Sequence, residues 1–483
     1  MTRAKRTSSA QPSPADAAAL RNTPQPEKRR NPRQGHSVVP RVLQPHAGGI
    51  DIGATRLFAA VSPERTDKPV RSFETFTENL YELAAWLKEH GVTSVAMEST
   101  GVYWIPVLQV LEECGIEVCL VNAHHVKNVP GRKTDVQDCQ WLQYLHAVGL
   151  LRGSFQPPPE ILGVRTVLRH RGNVVTDSSR HIQHMQKSLT QMNVHLHHVL
   201  SDLSGVSGLA IVDAILAGER DPAVLVQLRE PGVKASEETM RKALVGDYRP
   251  EHLFTLQQAR AAYQFCREQL RECDPRVEEL LAQLRSQIDP AEIAPPAATG
   301  PKHRARKGEI DLPTADLRTE LQRILGTDVT PTPGLGTSIV CSLVAELGPD
   351  LSDFPSVSHF SSWLALCPNP KISGGRVLRK GTRPVKHRVA TLFRLAAQSV
   401  ARSNNALGAF YRRMRAKLGA PAAITATAHK LARIYYHLVT TKQAYDESIF
   451  QREEEAHQKR RLERVKREAV ALGFTLTAAV PST

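Results

Sequence analysis

Two acidic residues lie in short apolar stretches that predict buried strands. Asp51 lies within residues 49–53, where a glycine stands at each end, and Glu98 ends the apolar stretch 94–97. A carboxylate inside an apolar strand is costly to bury unless it is paired or binds a metal ion. Strand ends are also where α/β sheets bind their ligands. Both residues are therefore candidates for a cation site.

A third segment contributes two further acids. Thr134 and Gln137 have the spacing of a capping box, which predicts that a helix begins here. Asp135 and Asp138 are then three residues apart on one helical face. With the two strand acids they would form a set of hard oxygen ligands suited to Mg²⁺ or Mn²⁺. Two such ions can stabilise the attacking and leaving oxygens of a phosphodiester reaction.

Each of the four acids also has a purely structural explanation, and spacing alone leaves both open. Asp51 could be a turn residue at a strand end, and Glu98 could pair with an arginine or lysine. Asp135 and Asp138 could be ordinary acids of a helix N-terminus.

A second candidate centre is Ser373, which Gly374 and Gly375 follow. The glycines would allow close approach of a nucleic-acid backbone. A serine hydroxyl is a poor nucleophile unless a base or a metal activates it, and no such base lies nearby in the sequence. Six basic residues follow and are expected to hold phosphates, with none distinguished from the others: Arg376, Arg379, Lys380, Arg383, Lys386 and Arg388.

Two other features leave alternatives open. Residues 333–336 precede an apolar helix predicted over 338–347, and this turn could hold a phosphate or simply start a helix. Five histidines lie between His181 and His198. Because no cysteine or acid alternates with them in a ligand pattern, they indicate a solvated helical face more than a metal site.

Composition favours a polyanionic partner. The chain has 483 residues with 63 Lys+Arg against 48 Asp+Glu, a formal charge of +15. Nucleic acid is the first expectation, because each cation near a phosphate releases a counterion. A basic protein with charged tails is the alternative. Aromatic residues at 5% disfavour the base-stacking surfaces of OB and RRM domains.

The chain carries no signal for a membrane or for an oxidising compartment. It has no apolar run long enough for a membrane span and no apolar signal region at its start. The seven cysteines are odd in number and contain no CxxC, so neither a disulfide framework nor a zinc ribbon is predicted. We expect a cytoplasmic protein without a membrane partner.

The pattern of apolar residues along the chain predicts an α/β domain followed by mainly helical parts. A basic arm without hydrophobic periodicity covers residues 1–45. The further predicted divisions are an α/β domain at 46–160, a helical or coiled-coil arm at 161–290, a linker at 291–312, a mostly helical domain at 313–442 and a charged helical tail at 443–483. Within the arm, two long helices are predicted at 165–199 and 256–288, with breaks at 204–205 and 207–208.

Two sets of motifs in separate parts of the chain carry a family resemblance. The first set comprises residues 49–53, 97–104 and 133–138, and the second comprises residues 333–336, 345–348, 354–356, 373–375 and 428–432. Together they resemble the DEDD transposases of bacterial insertion sequences, enzymes now known as bridge-RNA-guided recombinases. The resemblance extends from about residue 46 to residue 442, with both sets in the expected order.

This resemblance implies an RNase-H/RuvC-like first domain in which Asp51, Glu98, Asp135 and Asp138 form the DEDD tetrad with Mg²⁺ or Mn²⁺. It implies that Ser373 is the nucleophile of a C-terminal transposase domain and forms a covalent phosphoserine link to DNA. The implied partners are donor and target DNA, a structured guide RNA and further copies of the chain, from a dimer to a tetramer, at the bacterial nucleoid.

Two alternatives differ in chemistry. In one, the first domain alone is a metal-dependent, structure-selective nuclease that uses activated water. In the other, the chain is a non-catalytic nucleic-acid-binding protein whose carboxylates are structural.

Overall fold

The computed structural model describes residues 41–99, 101–122, 135–289, 314–379, 381–383 and 387–475. The chain divides into two compact units that join between Phe155 and Gln156. In the described ranges, no helix is both long and apolar enough to span a membrane. The finer division into arm, linker, C-terminal domain and tail stays a prediction.

The first unit is an α/β layer. Its strands are β1 (Ala47–Ile52), β2 (Arg56–Ala60), β3 (Val70–Glu74), β4 (Ser94–Glu98) and β5 (Glu117–Val121). Its helices are α1 (Thr77–Glu89), α2 (Trp104–Glu113) and α3 (Asp135–Ala147). The alternation of strands and helices that the sequence predicts is confirmed, and the predicted helix start at 134–137 agrees with α3, although Thr134 lies outside the described residues.

The five strands form one mixed sheet in the order β3-β2-β1-β4-β5. β1, β2 and β3 are antiparallel neighbours, whereas β4 is parallel to β1 and β5 is parallel to β4. A parallel pair needs a crossover, and α1 and α2 supply the helices of these connections. The parallel pairing that the sequence predicts is therefore present.

The two faces of the sheet are covered differently. Ile50, Leu57 and Met97 are fully buried in a cluster that includes the apolar stripes of α1 and α2. The residues that alternate with Ile50 along β1, Gly49 and Asp51, point to the other face.

The second unit begins with a pair of long helices, α4 (Leu162–Gln191) and a later helix, Pro250–Ala282. The shorter helices between them are α5 (Leu196–Val199), α6 (Val206–Leu216), α7 (Pro222–Leu225) and α8 (Glu237–Ala243). The later long helix, Pro250–Ala282, is α9. Arg171 pairs with Asp274 and Ser188 with Thr255, so the pair is antiparallel, as predicted.

The predicted bounds of the two long helices are displaced: the sequence predicts 165–199 and 256–288, whereas α4 is Leu162–Gln191 and α9 is Pro250–Ala282. α4 ends at Gln191 and not at 199, because the chain turns at Asn193 in a left-handed conformation. Gly208 does not break a helix but lies inside α6, where a β-carbon would come 2.1 Å from the Leu203 carbonyl oxygen. This glycine serves close packing of α6 against the preceding turn.

In the residues that the structure describes, the rest of the second unit consists of helices and one hairpin. It comprises α10 (Thr314–Leu325), α11 (Thr337–Leu347), α12 (Val357–Trp363), the strands β6 (Lys371–Ser373) and β7 (Arg376–Arg379), α13 (Arg388–Val400), α14 (Ala406–Leu418), α15 (Ala420–Thr441) and α16 (Glu447–Ala471). Phe360, Phe393 and Tyr435 are its largest fully buried side chains. The predicted charged helix of the tail is confirmed as α16.

Candidate functional site

Asp51 and Glu98 lie side by side at the carboxyl ends of two parallel strands. Ile50 is the Cα partner of Met97 in the β1–β4 pair, so the residue after each follows in register. Neighbouring strands are about 4.8 Å apart, and both acids point away from the Ile50 and Met97 face. Both side chains are half-buried. The sheet therefore brings together two acids that are 47 positions apart in the sequence.

Gly49 lets α3 pack directly against the face that carries these acids. A β-carbon on Gly49 would lie 2.3 Å from the Cys139 carbonyl oxygen and 2.3 Å from the Gln143 backbone nitrogen. The Gln143 side chain donates a hydrogen bond to the Ala47 carbonyl at 3.2 Å. Only glycine allows helix and strand backbones to come this close.

The direction of α3 places its first turn at the acidic end of the sheet. Near the end of α3, His146 Nε2 lies 2.7 Å from the hydroxyl of Ser94, the first residue of β4. From His146 back to Asp135 the helix rises about 16 Å. From Ser94 to Glu98 the strand advances about 13 Å. The start of α3 thus lies near the end of β4 that carries Glu98.

The Cys139 thiol shows that two of the acids share one environment. Burial, followed by the negative charge of Asp51 and, more weakly, that of Asp138, raises the pKa of this thiol to about 12. The thiol also donates to the Val136 carbonyl at 3.2 Å. Cys139 therefore stays protonated and is a poor metal ligand beside the two carboxylates.

The fourth acid is only partly described. Asp135 is the first residue of α3, but its side chain and residues 123–134 lie outside what the structure describes. Across the part of the chain that is described, no group of three or more His, Cys, Asp or Glu side chains is arranged to hold a metal. The donor set suits a hard divalent cation, because Asp51, Glu98 and Asp138 offer carboxylate oxygens.

Ser373 lies at the tip of an exposed hairpin in the second unit. It is the last residue of β6 and is the Cα partner of Arg376, the first residue of β7. Gly374 and Gly375 connect them with φ of 54° and 74°. Two positive φ values define the tight turn that matches strand twist. A β-carbon on either glycine would meet open space, so a polymer can approach this turn without obstruction.

The predicted phosphate-binding residues do not form a single cluster. Arg376 and Arg379 are exposed on β7, and Arg388 is the exposed first residue of α13. Arg383 donates a hydrogen bond to the Ser362 carbonyl, which anchors the chain after the hairpin. Lys380 and Lys386 lie outside the described residues.

Two further sequence expectations have a structural outcome. At residues 333–336, Gly334 has a φ of 89°, and a β-carbon on it would lie 2.7 Å from the Ala396 carbonyl on α13. This glycine serves helix packing, and phosphate binding at the start of α11 stays a prediction. The histidine stretch does not form one helical face: His181 and His184 lie on α4, whereas His197 and His198, whose ring centres are 4.2 Å apart, lie on α5.

Sequence reasoning missed an arginine–carboxylate cluster in the second unit. The Glu346 carboxylate accepts two hydrogen bonds from Arg169, at 2.8 Å and 2.7 Å, and lies 3.2 Å from Nε of Arg165. The cluster joins α4 to α11. Glu346 lies within a motif, but nothing in the sequence indicates that its partner Arg169 is 177 residues away.

Comparison with known proteins gives two family matches. Residues 48–194 match a family model described as a transposase, of the DEDD type of IS110 elements. Residues 328–412 match a model described as the transposase IS116/IS110/IS902 family. No curated protein matches the chain. The first match covers the mixed sheet, apart from Ala47, together with α3, and the second covers the hairpin with Ser373.

Proposed function

The chain belongs to the IS110 family of DEDD-type transposases, and from this we propose that it is an RNA-guided DNA recombinase in which Ser373 is the nucleophile. The observation that carries the proposal is the hairpin, which presents an exposed serine directly opposite an arginine. DNA transposase activity follows from the family. The nucleophile, the metal centre and the RNA are the parts we propose.

The first unit is proposed to be an RNase-H/RuvC-like domain. Its support is the strand order β3-β2-β1-β4-β5, with three antiparallel strands followed by two parallel ones. The position of the acids at the carboxyl ends of β1 and β4 also agrees, since ligands of α/β sheets bind there.

We assign Asp51, Glu98, Asp135 and Asp138 as the residues that would hold Mg²⁺ or Mn²⁺. A bound divalent ion would stabilise negative charge on the oxygens of a phosphodiester. The protein's contribution is positional: paired strand ends set two acids, and Gly49 admits the helix that carries the other two.

The proposed chemistry at the hairpin consists of two transfers. The Ser373 hydroxyl oxygen bonds to the phosphorus of a DNA phosphodiester, a bridging P–O bond breaks, and the leaving strand takes up a proton as the hydroxyl loses one. A hydroxyl of a second DNA strand then attacks the phosphoserine and releases Ser373. Arg376, across the turn, would hold the non-bridging oxygens, because an arginine fork matches phosphate geometry.

The partners are proposals of the same kind. The charge of +15 favours binding of both DNA and a structured guide RNA. Pairing of that RNA with donor and target DNA would supply the sequence choice. The antiparallel α4–α9 pair is the proposed surface for assembly into a dimer or tetramer.

The test is detection of a covalent protein–DNA adduct on a denaturing gel, with the full chain, labelled DNA from the ends of its element and RNA transcribed from the flanking sequence. Wild type should form an adduct, and Ser373→Ala should form none while still binding RNA. Ser179→Ala, at an exposed serine on α4, is the matched control and should behave as wild type.

The alternatives predict different products. A nuclease that uses water would cleave DNA without an attached protein and would tolerate Ser373→Ala. A non-catalytic binding protein would show no cleavage, and Asp51→Asn would leave every measured property unchanged.

A further inference from the structure

A large groove lies along α15 in the second unit, beside the hairpin that carries Ser373. Its volume is about 1440 Å³, above the range of about 300–1,000 Å³ typical of small-molecule pockets. One helical face of α15, from Ala422 to Thr440, lines it. Eighteen residues of helix rise about 27 Å, so the groove is long enough for a polymer.

One wall of this groove lies at the root of the hairpin. Pro368, Gly381 and Thr382 contribute to that wall, and the neighbouring Cys367 Sγ lies 3.7 Å from Nε2 of His429, near the middle of α15. The Asn369 backbone nitrogen donates to the Gly381 carbonyl at 2.7 Å and closes the hairpin base at the same place. A nucleic-acid strand that lies in the groove would therefore pass the root of the hairpin that carries Ser373.

The walls of the groove are mainly apolar, and they also carry aromatic rings and cations. Lys430 Nζ lies 5.1 Å from the ring centre of Phe410 and 5.0 Å from that of Phe450. Phe450 in turn stacks on Tyr445, with ring centres 5.6 Å apart and planes at 14°. Such rings accept nucleobases by stacking, without regard to sequence.

The charge along the groove favours an anionic occupant. Lys430 and Arg433 line it, and Arg433 is exposed with no hydrogen bond or ion pair to any residue that the structure describes. The acid that lines the groove, Asp446, already accepts a hydrogen bond from the Ser448 backbone nitrogen as the N-cap of α16. A phosphate would give Arg433 a partner, whereas an apolar helix laid in the groove would cover this cation without one.

The chain's own basic arm does not suit this groove. Residues 1–45 carry nine Lys and Arg against Asp16 and Glu27. A polycation would meet Lys430 and Arg433 with like charge, which is unfavourable.

We propose that this groove binds a single-stranded stretch of nucleic acid, with bases stacked on the Phe410, Tyr445 and Phe450 rings and phosphates at Arg433 and Lys430. One part of this inference rests on the proposed function, namely that the bound strand is the one that reacts at Ser373. Binding itself requires no chemistry at Ser373. The low overall aromatic content does not prevent such a site, because three rings are gathered at one place.

The first test measures affinity of the full chain for a fluorescein-labelled 12-nucleotide oligo-dT by anisotropy. Arg433→Gln and Phe450→Leu should each weaken binding about tenfold, because the first removes a phosphate contact and the second a stacking ring. Arg452→Gln, an exposed arginine on α16 outside the groove lining, is the matched control and should change affinity less than twofold. Equal affinities in all four proteins would overturn the proposal.

The second test maps contacts and does not depend on a variant that folds. An oligonucleotide with 5-bromodeoxyuridine is photocrosslinked to wild type, and the modified peptides are identified by mass spectrometry. Crosslinks in the peptides with Phe410, Tyr445 or Phe450 support the groove, and crosslinks confined to other peptides overturn it.

Two outcomes separate this proposal from others. Ser373→Ala should retain oligo-dT affinity, so loss of the adduct and loss of strand binding report on different claims. If Arg433→Gln and Phe450→Leu alter the mass in light scattering while oligo-dT affinity stays at the wild-type value, the groove takes a second copy of the chain and the proposal is wrong.

Discussion

Gly49 of β1 and Gln143 of α3 approach so closely that a β-carbon on Gly49 would lie 2.3 Å from the Gln143 backbone nitrogen. This contact fixes the height of α3 over the sheet, and with it the place of Asp138 relative to Asp51. Asp138 is thus positioned relative to the acids at the strand ends by a residue without a side chain.

Gly49→Ala should displace α3 and destabilise the first unit. Overpacking of this kind costs about 1–3 kcal/mol, and here the obstacle is backbone, which cannot rotate away. Calorimetry should show a lower melting temperature, and the rate of adduct formation should fall because the acids separate. Gly172→Ala is the control: this helical glycine of α4 has open space around it, and alanine there should stabilise by about 0.5–1 kcal/mol. Equal effects of the two substitutions would contradict the account.

Arg376→Gln should slow adduct formation by about 100-fold, since loss of one preorganised donor to a reacting oxyanion costs about 10²–10³ in rate. The substitution retains a polar side chain on the exposed strand β7, so the fold should be unchanged. Arg379→Gln, on the same strand, does not face Ser373 across the turn and should slow the reaction far less. Single-turnover kinetics with labelled DNA measures both. A larger decrease in rate for Arg379→Gln than for Arg376→Gln would show that Arg376 does not hold the reacting phosphate.

The turn after Ser373 should tolerate asparagine but not valine. Gly374 has a φ of 54°, a conformation that asparagine adopts readily and that costs other residues about 1–2 kcal/mol. Gly374→Asn should therefore keep near wild-type adduct formation. Gly374→Val should reduce it, because the hairpin would open and move Ser373 away from Arg376. Comparable activity of the two variants would show that the turn geometry is unimportant.

His387 should make the second unit sensitive to acid. Burial lowers the pKa of this imidazole from 6.5 to about 4; Glu346 opposes the shift and Arg394 adds to it. The Ala390 backbone nitrogen donates to Nδ1 at 3.4 Å, and the ring packs against Trp363. Because the unfolded chain takes up this proton near pH 6.5 and the folded chain does not, stability is retained above pH 6.5 and falls as pH drops toward 4.

The substitution that isolates this effect is His387→Asn, which keeps a side-chain acceptor at the N-cap of α13 but cannot titrate. Between pH 7 and pH 5, the melting temperature of wild type should fall more than that of His387→Asn. Parallel decreases in the two proteins would assign the acid sensitivity to other groups.

Short apolar runs with clear ends predicted β1 and β4 of the first unit, whereas β3 (Val70–Glu74) was not predicted. The sequence also predicted the long helices α4 and α9 from their three- and four-residue spacing. It failed where a boundary depends on tertiary contact. Gly208 lies inside a helix because its neighbour is the Leu203 carbonyl, and local sequence carries no trace of that contact.

The candidate site was likewise predictable from the sequence only in part. Each acid could be named from its own segment, but their convergence depends on strand register and on the approach of α3, which only the fold supplies. The pairing of Ser373 with Arg376 follows from a two-glycine turn and was within reach of the sequence. The groove along α15 was not, because Phe410, Lys430 and Phe450 come from three different helices.

Mn²⁺ binding to the full chain, followed by electron paramagnetic resonance, tests whether the strand-end acids form a divalent-metal centre. Wild type and the control Glu112→Gln, at an exposed acid of α2, should bind Mn²⁺ alike, whereas Asp51→Asn and Glu98→Gln should lose that binding. The metal-centre assignment would be wrong if Asp51→Asn and Glu98→Gln bound as many Mn²⁺ ions as wild type, with the same affinity.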